Sequence, residues 1–204
     1  HGRRARTRPD PVTRRIVVAD HVVTGDDAGT VHSPGLVVID DGLVVDAAPV
    51  RGSRPAGPEV DDLGESVVLP GLVNAHAHVP MTLMRGVSEG HSLLTLEGWL
   101  GAIRSLEAHL TPDLLPAAAT VGCAEMIGSG TTSFADQYLF ADAYLPAVEA
   151  SGLRATVAYG IVELGDDAAR AAGLAEAAAF VAAAQRHPLV TGWVGPHAFF
   201  VDNQ

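Results

Sequence analysis

His76-Ala77-His78 sets two imidazoles two residues apart. On an extended chain residues i and i+2 point to the same side, so the two rings project together. Nitrogen donors placed this way suit a divalent ion such as Zn²⁺, which takes imidazole nitrogens at about 2.0–2.1 Å. The plainer reading of the same pair is a polar turn. Glu107 is a second candidate. It shares a helical stripe with Leu100, Ile103 and Leu110, and a carboxylate among apolar neighbours needs a partner. Arg104, nearly one helical turn earlier, is the nearest one the sequence offers. Glu125 passes the same test against Leu114, Ala118 and Val121 and is assigned no role. His197, after Gly195-Pro196, either faces a site at a strand end or caps a loop. Trp99 either lines a pocket or belongs to the core. Asp136 follows a strand as a cap or a supporting residue. His21, His32, His91, His109 and His187 read as surface or turn residues, and Cys123 as mid-helix packing.

The elements that must position these residues can be read from pattern. Residues 16–45 are β-rich. Val37-Val38-Ile39 and Leu43-Val44-Val45 flank Asp40-Asp41-Gly42, which reads as a hairpin turn. Residues 49–59 are a loop, so residues 16–66 form a small β element of about four strands, sandwich-like and too small to be stable alone. From Val67 the texture changes. Val67-Val68-Leu69 and Leu72-Val73 are buried-strand material split by Pro70-Gly71. Helices are expected over 96–110, from Thr111-Pro112-Asp113 to about Ser129, over 141–150 and over 167–186. Strands are expected at 131–135, 155–159 and 189–194. Strand–helix alternation with short connections implies parallel βαβ units. About four such strands follow residue 67, whereas a complete eight-stranded barrel needs roughly 250 residues. The pattern is a small open α/β sheet or half a barrel.

Composition bounds the rest. The chain has 204 residues, 48% hydrophobic and 18% charged, which suits a globular core. Its formal charge of −11 argues against a nucleic-acid-binding surface. Six arginines crowd residues 1–15 beside Pro9 and Pro11, which reads as a disordered basic leader. A single cysteine allows no disulfide framework and fits a reducing cytoplasm. No apolar run reaches the roughly 18 residues of a membrane span, so no membrane partner is expected.

The run from Val68 to His78, read as VLPGLVNAHAH, resembles the first-strand signature of the amidohydrolase superfamily. Val79 to Gly86 narrows the likeness to the branch of S-adenosylhomocysteine and 5′-methylthioadenosine deaminases and related chlorohydrolases. The likeness continues through Trp99-Leu100, Leu106-Glu107, Leu110-Thr111-Pro112, Ser129-Gly130-Thr131-Thr132 and Phe134-Ala135-Asp136 to Gly195-Pro196-His197-Ala198, covering about residues 16–204. This resemblance implies a TIM (β/α)8 barrel, of which residues 67–204 are the first half. It implies that His76 and His78 bind metal, that Glu107 accepts hydrogen bonds from ribose hydroxyls, and that His197 contacts substrate. Phe199-Phe200 stands where Pro-Tyr is usual in that branch, and a short insertion lies between Arg85 and Trp99. The chain has no lysine, so the resemblance points to the one-metal type, with Zn²⁺, or Fe²⁺ as the alternative, in each complete site. It also implies homo-oligomers. A third metal histidine with an adjacent glutamate, a further histidine and a metal aspartate are expected beyond Gln204, and the proton-transferring residues with them. The 204-residue chain alone is therefore expected to bind metal weakly and to turn over nothing useful.

The leading expectation is hydrolytic deamination of an aminopurine nucleoside. The alternatives are a sister hydrolase acting on a guanine, pterin or chlorotriazine ring, or an inactive fragment kept as a binding or assembly module. A dinucleotide-binding protein ranks below these, because no Gly-x-Gly-x-x-Gly follows any strand.

Overall fold

The computed structural model describes residues 14–92, 94–162 and 165–197, apart from the side chains of Leu96, Trp99 and Leu100. The chain divides into two compact units after Pro70. Of the expected leader, residues 1–13 lie outside the described residues. Arg15 does not belong to a leader: it opens the first strand and its guanidinium pairs with Asp61.

The first unit holds seven short strands, β1 (Arg15–Ala19), β2 (His21–Val23), β3 (Val31–His32), β4 (Gly35–Asp40), β5 (Leu43–Pro49), β6 (Val60–Asp62) and β7 (Val67–Val68). They form two sheets, ordered β5-β4-β1-β6 and β3-β2-β7. This is more than the four strands expected: β3 and β6 are two or three residues long and carry no readable alternation, and β7 is the Val67-Val68 run that the sequence pattern assigns to the second unit. The Asp41-Gly42 turn joins β4 to β5 with φ of 51° and 75°, the left-handed pair that a tight hairpin requires. β7 pairs in parallel with β2, which keeps residues 67–70 with the first unit. Val18, Ala19, Val22 and Val38 are its buried core.

The second unit runs β8 (Leu72–Ala77), α1 (Leu96–Glu107), α2 (Leu115–Gly128), β9 (Thr131–Tyr138), α3 (Ala141–Ser151), β10 (Arg154–Ile161), α4 (Asp167–Ala184) and β11 (Val190–Pro196). Its sheet is ordered β11-β10-β9-β8 and every pair is parallel. Local chemistry sets the helix ends. Thr95 caps α1 by accepting from the Gly98 amide at 3.2 Å, and Asp166 caps α4 by accepting from the Ala168 and Ala169 amides. Gly152, at φ 74°, closes α3 in the left-handed conformation. The expected start of α2 at Thr111-Pro112 is a separate 3-10 turn, Pro112–Leu114, and Thr111 makes no side-chain cap. Pro116 has no N–H to bond the carbonyl four residues back, so the α-helical ladder starts later.

The helices bury one face of this sheet. Leu115, Cys123, Phe134, Tyr144, Val148, Val157, Ala177 and Phe180 pack there. The other face is open: Val73, Ala75, Ser133, Ala135, Thr156 and Thr191 line a cleft of about 340 Å³. β8 is therefore not the buried strand its composition suggests. Leu72 and Val73 are 52% and 70% exposed, because β8 is an edge strand of its sheet among the described residues. Among the described residues no helix is long and apolar enough to cross a membrane.

Candidate functional site

The two imidazoles meet at the C-terminal end of β8. His76 Nε2 lies 3.1 Å from His78 Nε2 and the rings are edge to face. Alternation alone would not aim them this way. Val73 and Ala75 line the open cleft, so a regular strand would turn His76 and His78 toward the helices. A bulge between Asn74 and Ala77 resets the alternation. Asn74 Oδ1 accepts from the His76 amide at 3.2 Å within that bulge, and Ala77 packs against the helix-side core. His76 and His78 are thereby turned to the open face.

Strand β9 holds the turn that follows. His78 Nδ1 lies 2.7 Å from the Gln137 carbonyl oxygen. A carbonyl only accepts, so Nδ1 carries the proton and Nε2 presents its lone pair. The Asp136 carboxylate is 4% exposed. It accepts from the Val79 amide at 2.7 Å and from the Tyr144 hydroxyl at 2.6 Å. Burial pushes the pKa of Asp136 up, against the hydrogen bonds from Tyr144 and Val79 and the nearby His78, which pull it down. Gln137 donates its side-chain amide to the Gly195 carbonyl at 2.7 Å, tying β9 to the end of β11.

Tyr138 ends β9 beside this cluster. Its ring centroid is 6.3 Å from that of His78. Its hydroxyl is buried and has no hydrogen-bond partner among the described residues. Burial first, and the Glu107 carboxylate second, hold its pKa well above the ordinary phenol value. Glu107 ends α1, half-buried, and its carboxylate acts on the Tyr138 phenol, while no ion pair with Arg104 forms among the described residues. His197 follows β11 at the same edge, where its amide donates to the Ile161 carbonyl at 3.1 Å. Trp99 lies on α1, with its side chain outside the described residues, as are Phe199 and Phe200. Glu125 makes a two-bond ion pair with Arg85 at 2.8 and 2.7 Å.

The donor chemistry fits a divalent ion. Two nitrogens on one ion at about 2.0–2.1 Å sit roughly 3.1–3.4 Å apart at angles near tetrahedral, and the observed separation is 3.1 Å. The set is partial: among the described residues no group of three His, Cys, Asp or Glu could hold a metal.

Parallel βα units with polar side chains gathered at the strand C-termini place the second unit in the α/β class, consistent with part of a barrel. Residues 67–203 match the amidohydrolase family, and the chain belongs to that family. It is 44% identical over 146 residues to a 5-methylthioadenosine/S-adenosylhomocysteine deaminase of Nitratidesulfovibrio vulgaris, covering 68% of this chain and 31% of that protein. It is 41% identical over 187 residues to a 5′-deoxyadenosine deaminase of Methanosarcina barkeri, covering 90% of this chain and 42% of that one. The crystal structure of a zinc-bound adenosine deaminase from Xanthomonas campestris superposes with a TM-score of 0.73 at 28% identity, covering 91% of this chain and 43% of that one. The chain thus spans less than half the length of these relatives.

Proposed function

We propose that this chain supplies the first part of a metal-dependent aminohydrolase that converts an aminopurine nucleoside to its oxo form with release of ammonia. The observation that carries this reading is the His76–His78 pair, with His78 Nδ1 committed to the Gln137 carbonyl and the two Nε2 atoms 3.1 Å apart, in a chain 41–44% identical to two nucleoside deaminases.

In this reading His76 and His78 hold one divalent ion, zinc before iron. An ion held by these two imidazoles would lower the pKa of water toward neutrality and so make it a nucleophile. The water oxygen adds to the ring carbon bearing the exocyclic amine, the C–N bond breaks, and the amine leaves as ammonia with its own two protons and one from the water, the other water proton remaining on the ring nitrogen of the oxo product. The residues described here bind and orient. The Gln137 carbonyl fixes the tautomer of His78, and Asp136 fixes the turn that carries it. Glu107 accepts from the sugar hydroxyls and His197 contacts the substrate.

The test uses the full-length product of the gene. It is expected to hold roughly one zinc per chain and to release ammonia from adenosine, 5′-deoxyadenosine or 5′-methylthioadenosine. His76→Ala is expected to lose the metal and at least about a hundredfold of turnover. A metal-free wild type, or one that leaves all three nucleosides intact, would sink the reading.

A further inference from the structure

Gln137 reaches toward both sides of the sheet at its C-terminal rim. Its main-chain carbonyl holds His78 Nδ1 at 2.7 Å, and its side-chain Nε2 donates to the Gly195 carbonyl at 2.7 Å. Gly195 lies on β11, and β10 runs between the two residues. Alternation along β9 sets the direction. Phe134 and Tyr138 pack in the helix-side core, so Ser133, Ala135 and Gln137 take the open face. The β10 residue level with Gln137 is Ala158, whose side chain is too short to block the path. Gly195 completes it: a Cβ there would lie 3.0 Å from Gln137 Nε2 and 2.9 Å from the Ala158 Cβ. Three positions on three strands therefore agree in letting one long amide cross the sheet. Pro196 and His197 follow Gly195 directly, so the bond anchors the segment that carries His197.

We propose that Gln137 is a positioning residue that couples the two sides of the site: its carbonyl sets the tautomer of His78, and its side-chain amide sets the position of Gly195-Pro196-His197 for binding substrate. This inference rests on the reading of His197 as a substrate contact. The Gly195 carbonyl only accepts, so the side chain must turn its nitrogen toward it. Besides the strand ladder, the end of β11 is held by that bond and by the His197 amide on the Ile161 carbonyl at 3.1 Å. Every residue has a main-chain carbonyl, so a substitution at position 137 removes the side-chain donor and leaves the acceptor for His78. The two roles can thus be separated: the side chain acts on substrate binding and the main chain on the metal-facing imidazole.

The experiment compares Gln137→Met and Gln137→Glu in the full-length protein. Both keep the length of the side chain; Met has no donor, and Glu sets a second acceptor against the Gly195 carbonyl. KM for adenosine is expected to rise about tenfold in Gln137→Met and further in Gln137→Glu, with a smaller change in kcat and the zinc retained. Amide exchange needs no turnover. The protection factor of the His197 amide should fall about tenfold in Gln137→Met. The Ala155 amide, which donates to the Leu189 carbonyl at the other end of the same strand pair, should keep its protection. If Gln137→Glu matches the wild type, shape and not the donor matters, and the proposal is overturned. An unchanged KM overturns it as well. Loss of zinc, or an equal fall in protection at His197 and Ala155, marks a general structural role and has the same consequence. A selective fall at His197 in a protein whose wild type leaves all nucleosides intact removes the function reading and leaves the anchor on His197 standing.

Discussion

Asp136 is the residue on which the geometry of the paired imidazoles depends. Its two carboxylate oxygens are divided between the Val79 amide and the Tyr144 hydroxyl, in a site that excludes water. Val79 is the residue after His78, so this bond sets where β8 stops and how the second imidazole is presented. Asp136→Ala leaves two buried donors unpaired, at about 1–3 kcal/mol each. Equilibrium urea unfolding is expected to show a loss of about 2–5 kcal/mol, and zinc dialysis of the full-length protein a 10- to 100-fold (order-of-magnitude) weaker affinity. Asp136→Asn keeps an acceptor for Val79 and should lose much less. An Asp136→Ala protein as stable as the wild type would show that Val79 finds another acceptor. The histidines were legible in the sequence because two identical rings at i and i+2 are a local signal. The role of Asp136 was not, since it depends on Tyr144 and Val79 being brought to one place by α3 and β8. The same holds for Arg85 and Glu125, forty positions apart in the sequence.

Elements position the site through close contacts as well as through bonds. α2 packs on the 3-10 turn Val79–Met84, and it can do so because residue 122 is glycine: a Cβ there would lie 2.7 Å from Val79 Cγ1 and 3.3 Å from the Val79 carbonyl oxygen. Gly122→Ala is expected to push α2 and the turn apart at a cost of about 1–3 kcal/mol, read as a lower urea midpoint with an unchanged m-value. In the first unit, Asp26 holds the β2–β3 connection by accepting from the Thr30 amide at 2.8 Å and the Thr30 hydroxyl at 2.7 Å. These bonds depress its pKa below the ordinary 3.8. A depressed carboxyl stabilises the folded form above the unfolded pKa and loses that contribution as pH falls through the folded one. The protection factor of the Thr30 amide, its exchange taken relative to the intrinsic rate at each pH, should therefore be full at neutral pH and fall once pH drops below about 3.8, whereas Asp26→Asn should flatten that dependence. Long elements such as α4 and β10 were readable from periodicity and capping residues. The pairing of β1 with β6 was not, because register between strands some forty residues apart is fixed by tertiary contact and leaves no local pattern.

At the scale of the whole molecule, the open face of the second sheet is the feature with the largest consequence for handling the chain. The helices cover one side, while Val73 and Trp193 stand 70% and 58% exposed on β8 and β11. Those two strands are the outer ones in the order β11-β10-β9-β8, so each also presents a row of unpaired backbone groups among the described residues. A closed barrel fills such a face with side chains from its other strands and leaves no edge. The sequence signalled this only indirectly, by giving four strand–helix units where eight make a barrel. It did not show that the apolar residues of β8 would be exposed, because Val73 in an edge strand and Val73 in a closed barrel read alike. An apolar face bounded by free edges drives association. The 204-residue chain by itself is expected to associate in sedimentation velocity across the micromolar range, with weight-average mass rising with concentration. Trp193→Glu should shift that curve to higher concentration, since it places a charge on the face without touching the helix-side core. The full-length product should show no such effect of Val73→Thr or Trp193→Glu on self-association if its remaining strands cover the face; they would instead cost stability, because the same positions would then be interior. A concentration-independent monomer of the 204-residue chain would mean that the open face is too dissected by Ser133, Thr156 and Thr191 to act as one apolar surface.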